Sequence, residues 1–187
     1  MIRRRQLDVY SAKPLKRPTS VKGYSFARLN EVHFEESEFC KPRLDLFRSR
    51  LAEGFEAHGL VTPEGQLAYY MWLSFGNDKG WAPWAFTARI SLSASSGYIF
   101  DCKTDPEHRR RGLYTSALKH ARWLCYRAHC NEVLIDVEPL NNPAVRAIKS
   151  ASFAKRARLE VTKMGPITKV NRESDVRFSL GRYYYEF

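Results

Sequence analysis

The densest chemical signal in this 187-residue chain is the run Arg109, Arg110, Arg111, Gly112. It joins a strand-like segment, SGYIFDCKT, to a segment with helical periodicity. A turn from strand into helix leaves the first helical N–H groups without backbone acceptors, and the helix dipole adds about half a positive charge there. Guanidinium forks suit phosphate oxygens, and a glycine lets a ligand approach the backbone with no Cβ in the way. The pattern points to a phosphorylated ligand on residues 109–115. The plainer alternative is a solvated basic turn.

Other reactive side chains are less organised. Cys125, His129 and Cys130 cluster, but on a helical pattern this spacing turns the two sulfurs to different faces, so no zinc site is expected. Cys102 has no base partner in sequence and reads as a buried strand thiol rather than a nucleophile. Seven aromatics fall within residues 69–86, and period-two alternation sends Tyr70 and Trp72 to one face of a strand. Trp81 and Trp84 lie in what reads as a loop, where they are candidates for a wall stacking on a ligand's sugar or nucleotide ring.

Composition bounds the setting. With 44% apolar and 27% charged residues, the chain can fold around its own core, which excludes a mostly disordered or collagen-like protein. The longest apolar stretch, Leu67 to Phe75, contains Ser74 and is far shorter than the roughly 18 residues of a spanning helix. No apolar segment follows the basic start, so a cytoplasmic protein with reduced thiols is expected. The net charge of +11 asks for an anionic partner. Residues 1–22 hold seven basic side chains against Asp8 alone, more than half the excess, and read as a solvated or loosely docked arm preceding a domain over 23–187. Nucleic-acid binding is the competing class, but no helix-turn-helix, zinc-finger or RNA-binding signature is present.

The elements that would position these residues follow from periodicity. YSFARL reads as a strand, and Val32 to Leu51 as helical pieces broken near Pro42. Phe55–Val61 and Gln66–Phe75 read as a hairpin across TPEG, and 76–96 as a long loop. Leu113, Ala117, Ala121, Leu124, Cys125 and Ala128 mark one helical face. EVLIDV suits a strand covered on both sides, giving a strand–helix–strand unit with parallel strands. Pro143 opens a further helix, and β-type segments follow near Arg156–Lys163 and Val176–Tyr184.

RRRGLY matches R/Q-x-x-G-x-G/A, and NNPAVRAIKSASF resembles N-x-x-A-x-x-x-Y-x-x-x-G-F with Asn141, Ala144 and Phe153 in register. On these two segments and the element order, the chain resembles the GNAT superfamily of acetyl-CoA-dependent N-acetyltransferases over roughly 24–185. The wording around the basic turn is similar to a branch linked to polysaccharide biosynthesis. Three positions depart from the pattern: Tyr114 replaces a small residue, Ile148 the tyrosine that protonates the leaving thiolate in many members, and Ser152 the glycine.

The resemblance implies an α/β fold with a mixed, mostly antiparallel central sheet, a splayed parallel strand pair and flanking helices. It implies acetyl-CoA as cosubstrate, with Cys102, Lys103 and Thr104 pairing with the pantetheine arm. Arg109, Arg110, Arg111, Gly112, Leu113, Tyr114 and Thr115 would hold the pyrophosphate, and Asn141 and Ala144 the thiol end. It implies a small-molecule primary amine as acceptor, such as an amino sugar or nucleotide-sugar, attacking directly in a ternary complex. Asp101 and Glu138, at the ends of the two strands, are the candidates for taking the amine's proton; the plainer roles are anchoring an arginine and capping a loop. The expected partners are the amine and, as an option, a second copy of the chain, with no nucleic acid and no metal; Ile148 keeps a catalytically silent CoA-binding protein as a further alternative.

Overall fold

The structure, a computed structural model, describes residues 2–83, 89–164 and 167–172. In chain order the elements are β1 (Ile2–Ala12), β2 (Ser25–Leu29), α1 (Glu31–Glu35), α2 (Leu44–Ala52), β3 (Glu56–Val61), β4 (Leu67–Phe75) and the short β5 (Trp81–Pro83) and β6 (Arg89–Ser91). Then come β7 (Ser96–Thr104), α3 (Leu113–Arg127), β8 (Glu132–Val137), α4 (Asn142–Ser150), β9 (Ala154–Met164) and β10 (Ile167–Arg172). Eight strands form one sheet in the order β10-β9-β1-β8-β7-β4-β3-β2. Every neighbouring pair is antiparallel except β7 and β8, the strands of the β7–α3–β8 unit.

Both faces of the sheet are covered, which is why β4 is apolar along nearly its whole length. Tyr70 and Trp72 point to the side of α1 and α2, where they pack with Phe34, Phe47 and Phe100. Tyr69, Met71 and Leu73 point the other way, into the layer made by α3 and α4. Helix α3 lies close enough that a Cβ on Gly97 would come within 2.4 Å of the Cys125 Sγ.

Three expectations are corrected. Residues 2–12 are no arm: β1 lies inside the sheet, antiparallel to β8 on one side and β9 on the other. Its Leu7 and Val9 face one core, Tyr10 and Ala12 the other, and buried Asp8 is held by Arg158 and Lys155 of β9. The Arg3–Arg5 run at its exposed end disguises a strand whose inner half is covered on both faces. The chain after it is also fastened, since buried Arg122 donates to the Lys13 and Ala151 carbonyls and Leu15 N–H donates to the Arg122 carbonyl. Within 76–96, β5 and β6 pair as a ribbon whose Ala82 and Ile90 enter the core; the two strands are too short to show a period.

The third correction concerns the thiols. Helix α3 ends before Cys130, in a Schellman motif: His129 takes φ +58, Cys130 N–H donates to the Cys125 carbonyl and His129 N–H to that of Tyr126. This reversal folds the two thiols together over Gly97 instead of directing them apart. Among the described residues no group of three or more His, Cys, Asp or Glu side chains could hold a metal ion. Val176–Tyr184 and Trp84 lie outside the described residues.

Candidate active site

The site begins with a β-bulge. Along β7 and β4 the register runs Phe100 to Trp72 and then Lys103 to Tyr70, leaving one residue too many on β7, and Asp101 takes φ +47 to accommodate it. The bulge bends β7 away from β8. Parallel pairing stops at Ile99 opposite Ile135, so that Phe100–Thr104 and Asp136–Val137 diverge. Past Ile99, the edge of β7 toward β8 presents backbone donors and acceptors with no strand partner. A cleft of about 990 Å³ fills the gap, and its far wall beyond β8 is β1, through Arg5 and Leu7.

One end of the cleft is the start of α3. Gly112 is its N-cap at φ +73, with no side-chain cap and no acidic residue in the first turn. The first amide of this turn with a helical partner is that of Ser116, which donates to the Gly112 carbonyl. The N–H groups before it are available to an anion at residues that all line the cleft, Leu113, Tyr114 and Thr115. Arg109 and Arg110 line it too. Arg111 does not; it turns outward and donates to the Tyr24 hydroxyl at 3.0 Å and the Glu107 carbonyl. Tyr24 also bonds His108, so Arg111 braces the turn rather than the ligand.

On the α3 side of the sheet, Cys102, Tyr69 and Tyr114 meet beneath the cleft. Burial, with the Asp101 charge adding, pushes the Cys102 thiol up to about 12, and burial raises both phenols well above their ordinary range. All three are protonated at neutral pH, which leaves Cys102 without the thiolate that a nucleophile needs.

On the α1–α2 side, Asp101 is pinned. Arg43 donates to both of its oxygens, at 2.7 and 2.6 Å, and Arg50 donates to one of them. Burial alone would raise the carboxyl, but the hydrogen bonds of Arg43 and the charge and bond of Arg50 outweigh it and hold it below the usual range. Its oxygens are engaged by guanidinium donors, the contact that the plainer of the two roles in the sequence calls for. Glu138 lines the mouth, half-exposed, with Arg5 Nε at 3.5 Å.

A carboxylate not singled out in the sequence reading, Asp136, is the first β8 residue past the split; it lines the cleft and accepts a hydrogen bond from the buried Tyr98 hydroxyl. The signal for it was present, as the aspartate that breaks the apolar run of EVLIDV two positions before Glu138. Asn141 caps α4 through Ala144 N–H, and both line the cleft. Lys103 and Thr104 line it as well. Trp81 does not: partly buried, it packs edge-on against Phe55 with the Arg89 guanidinium over its ring, because β5 lays it against the sheet's other core.

A profile described as "Acetyltransferase (GNAT) family" matches residues 28–153, about two thirds of the chain. The chain belongs to the GNAT acetyltransferase family. None of the curated proteins matches it. Among solved structures it is similar to a GNAT-family protein from Novosphingobium aromaticivorans (TM-score 0.55, 16% identity, 86% of this chain and 63% of that one). It is equally similar to a GCN5-related N-acetyltransferase from Sphaerobacter thermophilus (0.55, 16%, 85% and 51%). It also resembles the aminoglycoside 6'-N-acetyltransferase AAC(6')-Ih from Acinetobacter baumannii (0.50, 13%, 71% and 92%). At these identities the likeness is one of fold, and the chain spans less than two thirds of the first two proteins.

The mixed sheet, the splayed parallel pair and the flanking helices are the GNAT architecture expected from the motifs. Two departures from the GNAT pattern have structural readings. Ile148 is fully buried between helix and sheet and brings no proton donor. Ser152 sits at φ +62, in a second Schellman turn in which Phe153 N–H reaches the Ile148 carbonyl, the backbone that makes glycine the family's choice there.

Proposed function

We propose that this chain transfers an acetyl group from acetyl-CoA to a primary amine of a small molecule, by direct attack. The observation that carries the proposal is the meeting, in one cleft, of an uncapped helix N-terminus and a strand edge whose backbone has no partner. Acetyl-CoA supplies an acetyl group on a thioester, whose thiolate is a good leaving group. The site's residues suit it: the N–H groups of Leu113–Thr115 with Arg109 and Arg110 would take the diphosphate, and space beside Gly112 is open, since a Cβ built there meets nothing within 4 Å. The free edge of β7 from Phe100 to Thr104 would pair with the pantetheine amides, and Asn141 and Ala144 would hold the thiol end. An N–H of this edge would oppose the charge developing on the carbonyl oxygen.

The amine must shed a proton before it attacks. We assign that proton to Asp136, which stands at the split on the acceptor side, steadied by Tyr98. Asp101 is already committed to Arg43 and Arg50, and Glu138 stands further out at the mouth. With Ile148 in the tyrosine's place, the leaving thiolate takes its proton from water or from the ammonium. Trp81, packed against Phe55 and Arg89, is turned from a role in stacking on a sugar ring, and Trp84 lies outside the described residues.

Steady-state acetylation of a primary-amine panel tests the assignment. Asp136→Asn should lower kcat/KM by roughly 10²-fold or more, with a rate that recovers as pH rises and the amine deprotonates unaided. Cys102→Ala should lose only a few-fold. A larger loss in Glu138→Gln than in Asp136→Asn would move the role outward, and an acetylated Cys102 with ping-pong kinetics would refute direct attack.

A further inference from the structure

Arg50, on α2, is a charged side chain enclosed by the fold: the residue is 9% exposed, and its guanidinium lies 5.2 Å from the ring centroids of both Trp72 and Phe100. Among the described residues its one side-chain hydrogen bond runs from Nη1 to Asp101, and its Nε is buried without a partner. Asp101, in turn, is already held through both oxygens by Arg43. Two guanidiniums thus share one carboxylate, so the Arg43–Asp101–Arg50 cluster itself carries a net positive charge beside aromatic rings. Removing a guanidinium from water without a full set of partners is costly, and hydrophobic packing alone would be served as well by leucine or methionine. Yet Arg50 lines the cleft, on the α1–α2 side of the sheet and beside the bulge where the strands part.

We propose that the acceptor amine also carries an oxyanion, a carboxylate or a phosphate, and that Arg50 binds it. This rests on the acetyltransferase reading above. The anion would complete the charge balance of the Arg43–Asp101–Arg50 cluster. It would sit within a residue or two of the splay, so that the amine and the anion belong to one small molecule. Trp72 and Phe100 keep the guanidinium in a fixed plane, which favours a planar or tetrahedral oxyanion over a neutral hydroxyl.

The experiment uses the full chain saturated with CoA or acetyl-CoA, so that the diphosphate site is filled. Matched primary amines are compared: one with a carboxylate, its amide or methyl-ester counterpart, and one with a phosphate against its free alcohol. The anionic member of at least one pair should show a kcat/KM at least tenfold higher, and which pair responds identifies the anion. Arg50→Met should then lower kcat/KM for that anionic amine on the order of 10²-fold more than for its neutral counterpart, with Arg50→Lys between. Should Arg50→Met fail to fold, calorimetry on the wild-type complex decides: the favoured amino acid or amino phosphate should bind at least tenfold more tightly than its neutral counterpart. Neutral amines acetylated or bound as well as anionic ones, or equal losses for both in Arg50→Met, would overturn the inference while leaving acetyl transfer intact. Failure of the chain to bind acetyl-CoA would instead refute the parent reading.

Discussion

Gly112→Asp separates ligand binding from folding, because its two effects on the protein itself nearly cancel. At φ +73 a side chain costs about 1–2 kcal/mol relative to glycine. No steric term is added, since the new Cβ meets nothing within 4 Å. Against this, the carboxylate sits at the N-cap of a helix with no side-chain cap and no first-turn acid, a place where aspartate contributes about 1 kcal/mol. The melting temperature should therefore move by no more than a few degrees. The ligand meets the opposite situation, with a fixed negative charge where its diphosphate should lie. At a separation of roughly 5 Å and an effective dielectric near 20, one pair of unit like charges costs about 3 kcal/mol. That is on the order of 10²-fold in Kd, and more if both phosphates are close. Isothermal titration with CoA, beside Gly112→Ala as the control for backbone strain alone, measures it. Unchanged affinity in the aspartate variant would remove the turn as the phosphate site; equal losses in both variants would show that strain, not charge, was responsible.

Deleting residues 2–12 should abolish cooperative folding. It removes buried Leu7, Val9 and Tyr10, worth roughly 2 kcal/mol each, and unpairs β8 and β9, a loss comparable with the whole 5–15 kcal/mol of a typical domain; a truncated chain with unaltered melting would refute β1 as an interior strand. Ser152→Gly should stabilise by about 1 kcal/mol, raising Tm by a few degrees, and a lower Tm would contradict the left-handed turn at residue 152. Stability to urea should fall on acidification from about pH 6.5. Burial, with the nearby His58 charge, holds His120 down at about 4 against an unfolded 6.5, so the unfolded chain takes up its proton first. Asp8, drawn down chiefly by Arg158, and Glu56, chiefly by His58, extend the loss below pH 4 as their depressed folded values are crossed. His120→Phe should flatten the profile between 6.5 and 4, and a midpoint constant over that range in the wild type would refute the His120 part.

How much was legible in the sequence depended on whether each position is fixed by a local rule or by distant strands. The β7–α3–β8 unit was readable because its signals are local: nine residues of strand, a glycine at the helix start, and apolar residues at helical spacing. The basic turn was readable for the same reason, except that nothing local shows Arg111 turning toward Tyr24, 87 positions away. The thiols were misread because helical geometry was carried two residues too far, past the reversal at His129. Trp81 was misread because a three-residue strand has no period to detect. Asp101 and Asp136 were assigned or missed for a related reason. A carboxylate's role is set by the donors that reach it, and Arg50 of α2 and Arg43 just before that helix lie more than fifty residues from Asp101 in sequence.

The place of β1 ties these points to function. Since β8 pairs with β7 only as far as Ile135, something else must hold its far half in position for a cleft to exist at all. That partner is β1, whose residues Asp8 to Ala12 pair with Val137 back to Val133. The same strand continues past the end of β8 to place Arg5 and Leu7 on the cleft wall, with Arg5 beside Glu138. The positive charge of the N-terminus, which read as a separate arm, is thus partly the charge of the site. Asp136 keeps its place at the split because its strand is braced there from the opposite edge, so the geometry proposed for proton transfer depends on residues more than 120 positions away.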